Sequence, residues 1–388
     1  MLASSGECDL CGGRVKKFGK TAAGAQRFRC TQCGATSSLK RRRADVARRH
    51  ELEAFLSWLT GKHTQAEAAK KAGISTRSFR RRVAWCWNIR PRIPVTGEIY
   101  DQVQLDGIYI GSWCCLIAIS PTGVIGYQWC DTEKRAAWET LLQRFPAPAV
   151  VVTDGGPGLL SARKYAWPDT RVQRCLVHIQ RNVRTYLTTR PRTIPGKELR
   201  QLSLALTRIT TTEQATAWLA ALADFHQRHR GFIYARTYRG QHTGPVPTWV
   251  RPGQKSWYTH NRLRKAYTLL ERCAKHQELF TYLEPQFDFD VASTTNRIEG
   301  SINAQLRLLL RHHRGISEEH MRRAVEWFLY LRSEDPQAPH QLIREHHYRS
   351  QPKNPAPAEE PIGPELYGRS TSAEEGLWDR SGWGGKSF

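Results

Sequence analysis

The stretch AVVVTDGGPGLLSARKYAWPDTRVQRCLVHIQRN, residues 149–182, decides the fold of this chain. Its first four residues are apolar and mostly β-branched, a run too short for a helix and typical of a strand buried on both faces. The glycines and proline after Asp154 end that strand and predict a loop. Asp154 would therefore lie at the carboxyl end of a central strand, where open α/β sheets place their ligand-binding groups. An ordinary Asp-Gly turn is the alternative explanation.

The net charge of the chain indicates which class of partner it binds. Lys and Arg number 59 against 35 Asp and Glu, which gives a formal net charge of +24 in 388 residues. Such an excess predicts a polyanionic partner, and nucleic acid comes first. No apolar run is long enough to span a bilayer, so we expect no membrane partner. The N-terminal residues lack the features of a secretory signal, and the ten cysteines suit a reducing cytoplasm.

Two Cys-x-x-Cys pairs occur near the N-terminus, Cys8 with Cys11 and Cys30 with Cys33. Glycine follows each pair and lets backbone amides turn toward sulfur, and the spacing fits a zinc site of four thiolates. Residues 1–40 are therefore predicted to form a zinc ribbon that holds one structural Zn²⁺. Four unrelated reduced thiols are the alternative.

Residues 41–97 carry the pattern of a helix-turn-helix DNA-binding domain. Thr64 and Glu67 form a capping box that starts a second helix, Gly73 ends this helix, and Ser75 can cap an arginine-rich third helix. The residues expected to contact double-stranded DNA are Lys40, Arg41, Arg42, Arg43, Arg77, Arg80, Arg81 and Arg82. A small helical linker with solvated arginines would produce the same pattern.

From residue 98 onward, apolar residues alternate with polar ones, a spacing typical of strands. Two or three strands are predicted before Ser120 and a further one at Val124 to Trp129, followed by a helix from about Lys134 to Phe145, the strand before Asp154, and a helix to about Leu187. This order resembles the start of an RNase H-like fold. The predicted fold class is therefore mixed α/β, of the α+β kind, with an RNase H-like core.

The rest of the chain is predicted to form an insertion domain, the end of the core and a tail. Helical periodicity replaces strand signals after residue 187, and the last 53 residues, 336–388, are rich in Pro, Glu, Gly and Ser. The predicted units are the first part of the core (98–187), an all-α insertion domain with a basic loop (188–285), the last part of the core (286–335) and a flexible tail (336–388).

Three carboxylates have ordinary explanations one by one. Asp106-Gly107 could form a hairpin turn, and Glu299 could complete a capping box with Asn296. Asp106 lies in the first strand region, Asp154 at the end of the later parallel strand, and Glu299 on a helix that returns after a long insertion. Carboxylates brought together in this way can hold two Mg²⁺ ions, which prefer oxygen ligands and promote in-line phosphoryl displacement.

A known family shares these residues. The pattern Leu105-Asp106-Gly107, Thr153-Asp154-Gly155, Cys175-Leu176-Val177-His178 and Asn296 to Asn303 resembles the bacterial insertion-sequence transposases of the Mutator-like superfamily. The Cys-x-x-His pair is the most specific mark, because a triad of two aspartates and a glutamate is common to many nucleases and integrases. The resemblance implies that the catalytic metal ligands are Asp106, Asp154 and Glu299, and that Mg²⁺ binds there with Mn²⁺ as a substitute. It also implies that Cys175, His178, Asn296 and Asn303 lie near the site.

The same resemblance implies a DDE transposase, named for its Asp-Asp-Glu triad, that binds the terminal inverted repeats of its own element, cleaves strands and joins them to target DNA. No nucleotide cofactor is expected, because transesterification conserves bond energy. Pairing two ends implies a homodimer or a higher oligomer on DNA, in the bacterial cytoplasm. Two other hypotheses stay open, an inert transposase-derived DNA-binding regulator and a hydrolytic nuclease. Cys175 and His178 have two interpretations, positioning near the site and direct chemistry.

Overall fold

The structure is a computed structural model that describes residues 7–8 and 10–348, with the backbone alone for residues 38–44. The strands are β1 (Val15–Lys20), β2 (Gln26–Cys30), β3 (Thr36–Ser38), β4 (Gln102–Ile110), β5 (Trp113–Ile119), β6 (Val124–Cys130), β7 (Val150–Thr153), β8 (Arg171–Arg174), β9 (Arg236–Tyr238) and β10 (Ser256–Tyr258). The helices are α1 (Leu39–Thr60), α2 (Gln65–Lys71), α3 (Thr76–Val83), α4 (Arg135–Leu142), α5 (Pro157–Ala166), α6 (Leu176–Leu187), α7 (Ile194–Ala205), α8 (Thr212–Tyr234), α9 (Asn261–Lys275), α10 (Ala304–His312), α11 (Glu318–Tyr330) and α12 (Glu345–Tyr348). A π-helical turn, Arg297–Asn303, precedes α10 directly. The predicted mixed α/β class is confirmed.

A five-stranded mixed sheet occupies the middle of the fold, in the order β6-β5-β4-β7-β8. The pairs on the β6 side are antiparallel, whereas β4 with β7 and β7 with β8 are parallel. All four residues of β7 are buried, as expected for a β-branched strand inside a sheet. The strand predicted from the run of valines therefore lies beside the central strand β4.

The N-terminal helices begin where the capping residues predict. Thr64 and Glu67 form the complete capping box at the start of α2, and the Ser75 hydroxyl caps α3. Gly73 between them has a φ of +66°, the left-handed region that glycine adopts freely. The buried residues of α1 and α3 share one apolar core with one face of the sheet and with α11. These helices are thus packed against the sheet by shared side chains.

Helices α6 to α9 pack around a core of their own. The helical pattern predicts Trp218, Leu219 and Leu222 to be core residues. Trp218 and Leu222 are buried in this core, whereas Leu219 is 39% exposed, so its prediction is wrong. The interval predicted to be a basic loop also contains the antiparallel pair β9 and β10, so the region is not wholly helical. Two three-residue strands rich in tyrosine and arginine give too short a pattern to separate from a loop.

Helix α5 has no counterpart in the sequence prediction. The sequence pattern predicts a loop through Pro157, yet this residue begins the helix, a position where its missing N–H costs nothing. The loop after Asp154 therefore lasts only two residues, Gly155 and Gly156. This brings the N-terminus of a helix close to the end of β7.

The predicted flexible tail starts too early. A 3₁₀ turn, Pro339–Leu342, and helix α12 follow residue 336. The Asn88 side-chain amide donates to the His347 carbonyl at 2.8 Å, and Arg48 lies over the Tyr348 ring. Residues up to 348 are thus bound to the N-terminal helices; the remaining residues of that prediction, 349–388, lie outside the described part. Among the described helices, none combines the length and apolar character needed to cross a bilayer.

Candidate functional site

Two of the predicted carboxylates are in register on neighbouring strands. In the parallel pair of β4 and β7, Leu105 is opposite Thr153. Asp106 and Asp154 are the next residues on strands about 4.8 Å apart, so they lie side by side. Asp106 is paired with Ile117 in the interior of β4, which shows that the hairpin-turn explanation is wrong. The register brings the two carboxylates together without any contribution from loops.

Arg174 holds the end of β7 in place. Its guanidinium donates to the backbone carbonyl of Asp154 at 2.7 and 3.1 Å. Gly155 has a φ of +83°, and a Cβ there would lie 1.8 Å from the Arg174 Cζ atom. Only glycine fits this position, because both the backbone angle and the guanidinium exclude a side chain. Glycine at position 155 is therefore a requirement of this close contact.

Glu299 reaches the same region from the π-helical turn. Asn296 makes no side-chain capping bond, so the capping-box explanation of Glu299 is wrong. The Glu299 carboxylate instead accepts a hydrogen bond from the Thr295 hydroxyl at 2.7 Å. It also lies 2.6 Å from the Arg181 guanidinium and 3.1 Å from Nδ1 of His178. π-Helical turns are rare and are frequent at functional sites.

Asp106, Asp154 and Glu299 line one cleft of about 1060 Å³, together with His178. Cationic side chains surround these acidic groups. Those that line the cleft are Arg163, Lys164, Arg171, Arg174, Arg181, Arg264, Lys265, Arg272 and Arg307. A cleft with acidic groups inside and this many cations around them suits a polyanionic ligand that reaches a bound metal.

The pKa values of Asp106 and Glu299 are shifted in opposite directions. Burial and then the neighbouring charge of Asp154 raise the pKa of Asp106 to about 8. Burial also acts to raise the pKa of Glu299, but His178 and Arg181 outweigh it and the pKa is lowered. Glu299 is thus charged and neutralised by protein cations, whereas burial and the charge of Asp154 favour the protonated form of Asp106.

The Cys-x-x-His pair contacts the segment that carries Glu299. The backbone N–H of Thr295 donates to Cys175 Sγ at 3.3 Å, and His178 lies against the carboxylate of Glu299. Burial alone would lower the pKa of His178, but its hydrogen bond to Cys175 and the nearby carboxylates raise it to about 9. A charged His178 then attracts Glu299. These contacts fit the positioning interpretation of the pair.

Asn303 links the π-helical turn to the other side of the site. Its side-chain amide donates to Asp106 Oδ2 at 2.7 Å, and the residue is 1% exposed. The turn therefore carries both Glu299 and a residue that orients Asp106. Asn296, which the resemblance also placed near the site, is exposed and does not line the cleft formed by the described residues.

Thr295→Val is expected to destabilise the metal-free protein by about 1–2 kcal/mol, because it removes a hydrogen bond to a charged group and leaves a similar shape. Thr295 is fully buried, so no water replaces the lost hydroxyl. Urea denaturation measures the change, and Thr295→Ser, which keeps the donor, is the control. Equal stability of the valine and wild-type proteins would show that Thr295 does not hold Glu299.

The four N-terminal cysteines come together as predicted. Cys8 Sγ lies 3.7 Å from Cys33 Sγ, Cys11 Sγ lies 3.5 Å from Cys30 Sγ, and all four sulfur atoms lie within 4.8 Å of one another. The backbone N–H of Cys33 donates to Cys30 Sγ and, with that of Gln32, lowers the pKa of this thiol to about 6. Four thiols with one inclined to ionise match the donor set of a structural Zn²⁺ site.

The arginines of α3 all point to solvent. Arg77, Arg80, Arg81 and Arg82 are exposed, whereas Phe79 and Val83 of the same helix are buried. The helix thus presents one basic face. The side chains of the other predicted DNA contacts, Lys40, Arg41, Arg42 and Arg43, lie outside the described residues.

The sequence prediction missed two residues of the site. Arg181 stands in the quoted motif but received no role, and its salt bridge to Glu299 depends on a residue 118 positions away. Glu133 also lines the cleft. It precedes α4 in a short polar segment, and nothing in the local pattern marks it.

Part of the chain is similar to a known protein family. Residues 99–237 match the family model described as "Transposase, Mutator family". The predicted resemblance to transposases of the Mutator family is confirmed over these residues.

One curated relative is similar over part of the chain. Over 101 aligned residues the chain is 37% identical to the transposase for insertion sequence element IS905 of Lactococcus lactis subsp. lactis (strain IL1403). The alignment covers 22% of this chain and only 26% of the relative's length.

Proposed function

We propose that this protein is a DDE transposase that binds the terminal inverted repeats of its insertion sequence, cleaves DNA strands and transfers them to target DNA. The observation that carries the proposal is the register of β4 and β7, which sets Asp106 beside Asp154 in a cleft that Glu299 also lines. The family match over residues 99–237 supports the same conclusion.

The residues of the cleft fit divalent metal ions. Asp106, Asp154 and Glu299 offer only carboxylate oxygens, the donors that Mg²⁺ and Mn²⁺ prefer. Burial and then the charge of Asp154 raise the pKa of Asp106, and a bound cation would offset both effects. The chemistry that two such ions supply when bound is activation of a water or a 3′-hydroxyl and stabilisation of the leaving oxygen in phosphoryl displacement.

The other side chains of the site prepare it for that role. Asn303 orients Asp106 through its 2.7 Å hydrogen bond, and Thr295 with His178 holds the carboxylate of Glu299. The cationic side chains around the cleft attract the phosphates of DNA, and this binding weakens as the salt concentration rises. Arg181 pairs with Glu299 in the metal-free protein and is exposed enough to bind a phosphate once Glu299 binds metal.

We assign roles to the remaining parts of the chain on the same basis. The five-stranded sheet and its helices form an RNase H-like core, and helices α7 to α9 form an insertion that helps to hold DNA. The cysteine cluster is a zinc ribbon with one Zn²⁺, and α1 to α3 are a helix-turn-helix that recognises the transposon ends through Arg77, Arg80, Arg81 and Arg82. Pairing two ends requires at least a homodimer.

The experiment that tests this function uses duplexes with the DNA that flanks the reading frame. Wild-type protein and Glu299→Gln are incubated with them and Mg²⁺, and the products are followed at nucleotide resolution. We expect cleavage and joined products from the wild type and neither from the variant. The glutamine keeps the length of the side chain and a hydrogen-bond acceptor for Thr295, so a loss of activity reports the missing charge.

Two outcomes would contradict the proposal. Tight binding without cleavage by either protein would identify a catalytically inert, transposase-derived DNA-binding regulator. Nicks without joined products would identify a hydrolytic nuclease of the same fold.

A further inference from the structure

Glu133 is a carboxylate inside the cleft that none of the roles above uses. It lies in the segment between β6 and α4 and lines the cleft together with Asp106, Asp154 and Glu299. The N-terminus of α4 has no side-chain capping bond, so Glu133 is not there to cap that helix.

The position of the Glu133 carboxylate explains an unusual glycine. Gly107 lies inside β4, paired with Leu116, although glycine weakens a strand interior. A Cβ at this position would lie 2.5 Å from Cδ of Glu133 and 2.6 and 2.8 Å from its two oxygens. The carboxylate of Glu133 thus occupies the space over the residue that directly follows Asp106. Any larger residue at 107 would displace it.

The charged groups that act on Glu133 are carboxylates and therefore negative, like Glu133 itself. Burial, and then the charges of Asp154 and Asp106, raise its pKa to about 8. The Cys114 thiol acts in the opposite direction and lowers this pKa in part. Among the described residues, no Lys, Arg or His forms a salt bridge with Glu133. Glu299, by contrast, is held by Arg181 and His178. An uncompensated charge at such a place is costly, and an external cation would offset that cost.

We propose that Glu133 is a fourth carboxylate ligand of the divalent-cation site, on the side of Asp106 away from the π-helical turn. The inference rests on the proposed metal-dependent function and adds to it a ligand from the segment before α4. Four carboxylates offer enough oxygen donors for two octahedral ions with waters. Gly107 is then a positioning residue, kept small so that Glu133 can reach the metal.

The test measures metal binding without DNA or turnover. Zinc-loaded full-length protein is titrated with Mn²⁺ by calorimetry, and Mg²⁺ is added as a competitor. Glu133→Gln is expected to weaken Mn²⁺ binding by at least about tenfold, the lower bound for loss of a residue that supports a metal site. Glu139→Gln, which removes an acid of α4 that pairs with Arg135 at 2.6 Å, should leave Mn²⁺ affinity unchanged.

Asp154→Asn separates failure of this inference from failure of the proposed function. If Asp154→Asn abolishes Mn²⁺ binding and Glu133→Gln does not weaken it, Glu133 is not a ligand and the inference is overturned. If neither variant weakens Mn²⁺ binding, the cleft is not a metal site, and the proposed function fails with it. Should Glu133→Gln not fold, Glu133→Asp keeps the charge and withdraws the carboxylate by one methylene, and unchanged Mn²⁺ affinity in that variant would likewise overturn the inference.

Discussion

Asp154→Asn is expected to reduce strand cleavage by at least about 1000-fold, because loss of a metal ligand removes several kcal/mol of transition-state stabilisation at 1.36 kcal/mol per tenfold. DNA binding should persist, since the cations around the cleft and the basic face of α3 are untouched. The asparagine oxygen can still accept the hydrogen bond from the Gly156 N–H, which is 2.9 Å long in the wild type. Single-turnover cleavage of end duplexes and a gel-shift titration measure the two effects.

The matched control for this prediction is Asp169→Asn. Asp169 also lines the cleft but is exposed in the turn before β8. Its loss should leave cleavage within a few-fold of the wild type. The metal-free Asp154→Asn protein should also melt at a higher temperature, because Asp106 no longer faces a like charge. Retained cleavage by Asp154→Asn would refute a metal-ligand role for Asp154.

Cys30→Ser is expected to remove zinc from the protein and unfold the N-terminal ribbon of β1 to β3. Cys30 is 2% exposed and its sulfur lies among the other three thiols. Structural Zn²⁺ contributes about 10–16 kcal/mol to the folding of small zinc modules, far more than three short strands supply alone. Metal content by mass spectrometry should fall from one Zn²⁺ per chain to none, and limited proteolysis should cut within residues 10–38.

A buried cysteine outside the cluster provides the control for the zinc prediction. Cys86 is fully buried in the apolar core shared by the N-terminal helices and the sheet. Cys86→Ala should keep one Zn²⁺ per chain, while its stability falls through the loss of packing. If Cys30→Ser retains zinc, or if the wild-type protein contains none, the four thiols are not a metal site.

Local signals in the sequence were enough for the elements whose cause is local. Val150 to Thr153 form a buried strand because β-branched apolar residues favour that environment in any context. Ser75 and the Thr64 capping box start helices because their bonds span only three residues. The cysteine cluster was predictable for the same reason, since spacing within a short segment defines it.

Where a short sequence pattern fits two different structures, the prediction was less accurate. Asp106-Gly107 fits a hairpin turn and a strand interior equally, and only its pairing with β5 and the approach of Glu133 decide between them. Pro157 fits a loop and a helix start, and helix α5 went unpredicted. In both cases the neighbouring segment, distant in sequence, determines the outcome.

Residue patterns alone predict the mixed α/β class, the end of the central strand at Asp154, and the four clustered cysteines. The partners of each carboxylate depend on the three-dimensional fold. The fold sets Asp106 beside Asp154 by strand register, pairs Glu299 with Arg181 and His178, and brings Glu133 over Gly107. The physical reason is that propensity and capping act within a few residues, whereas charge neutralisation and packing depend on which distant segments the fold brings within a few ångströms.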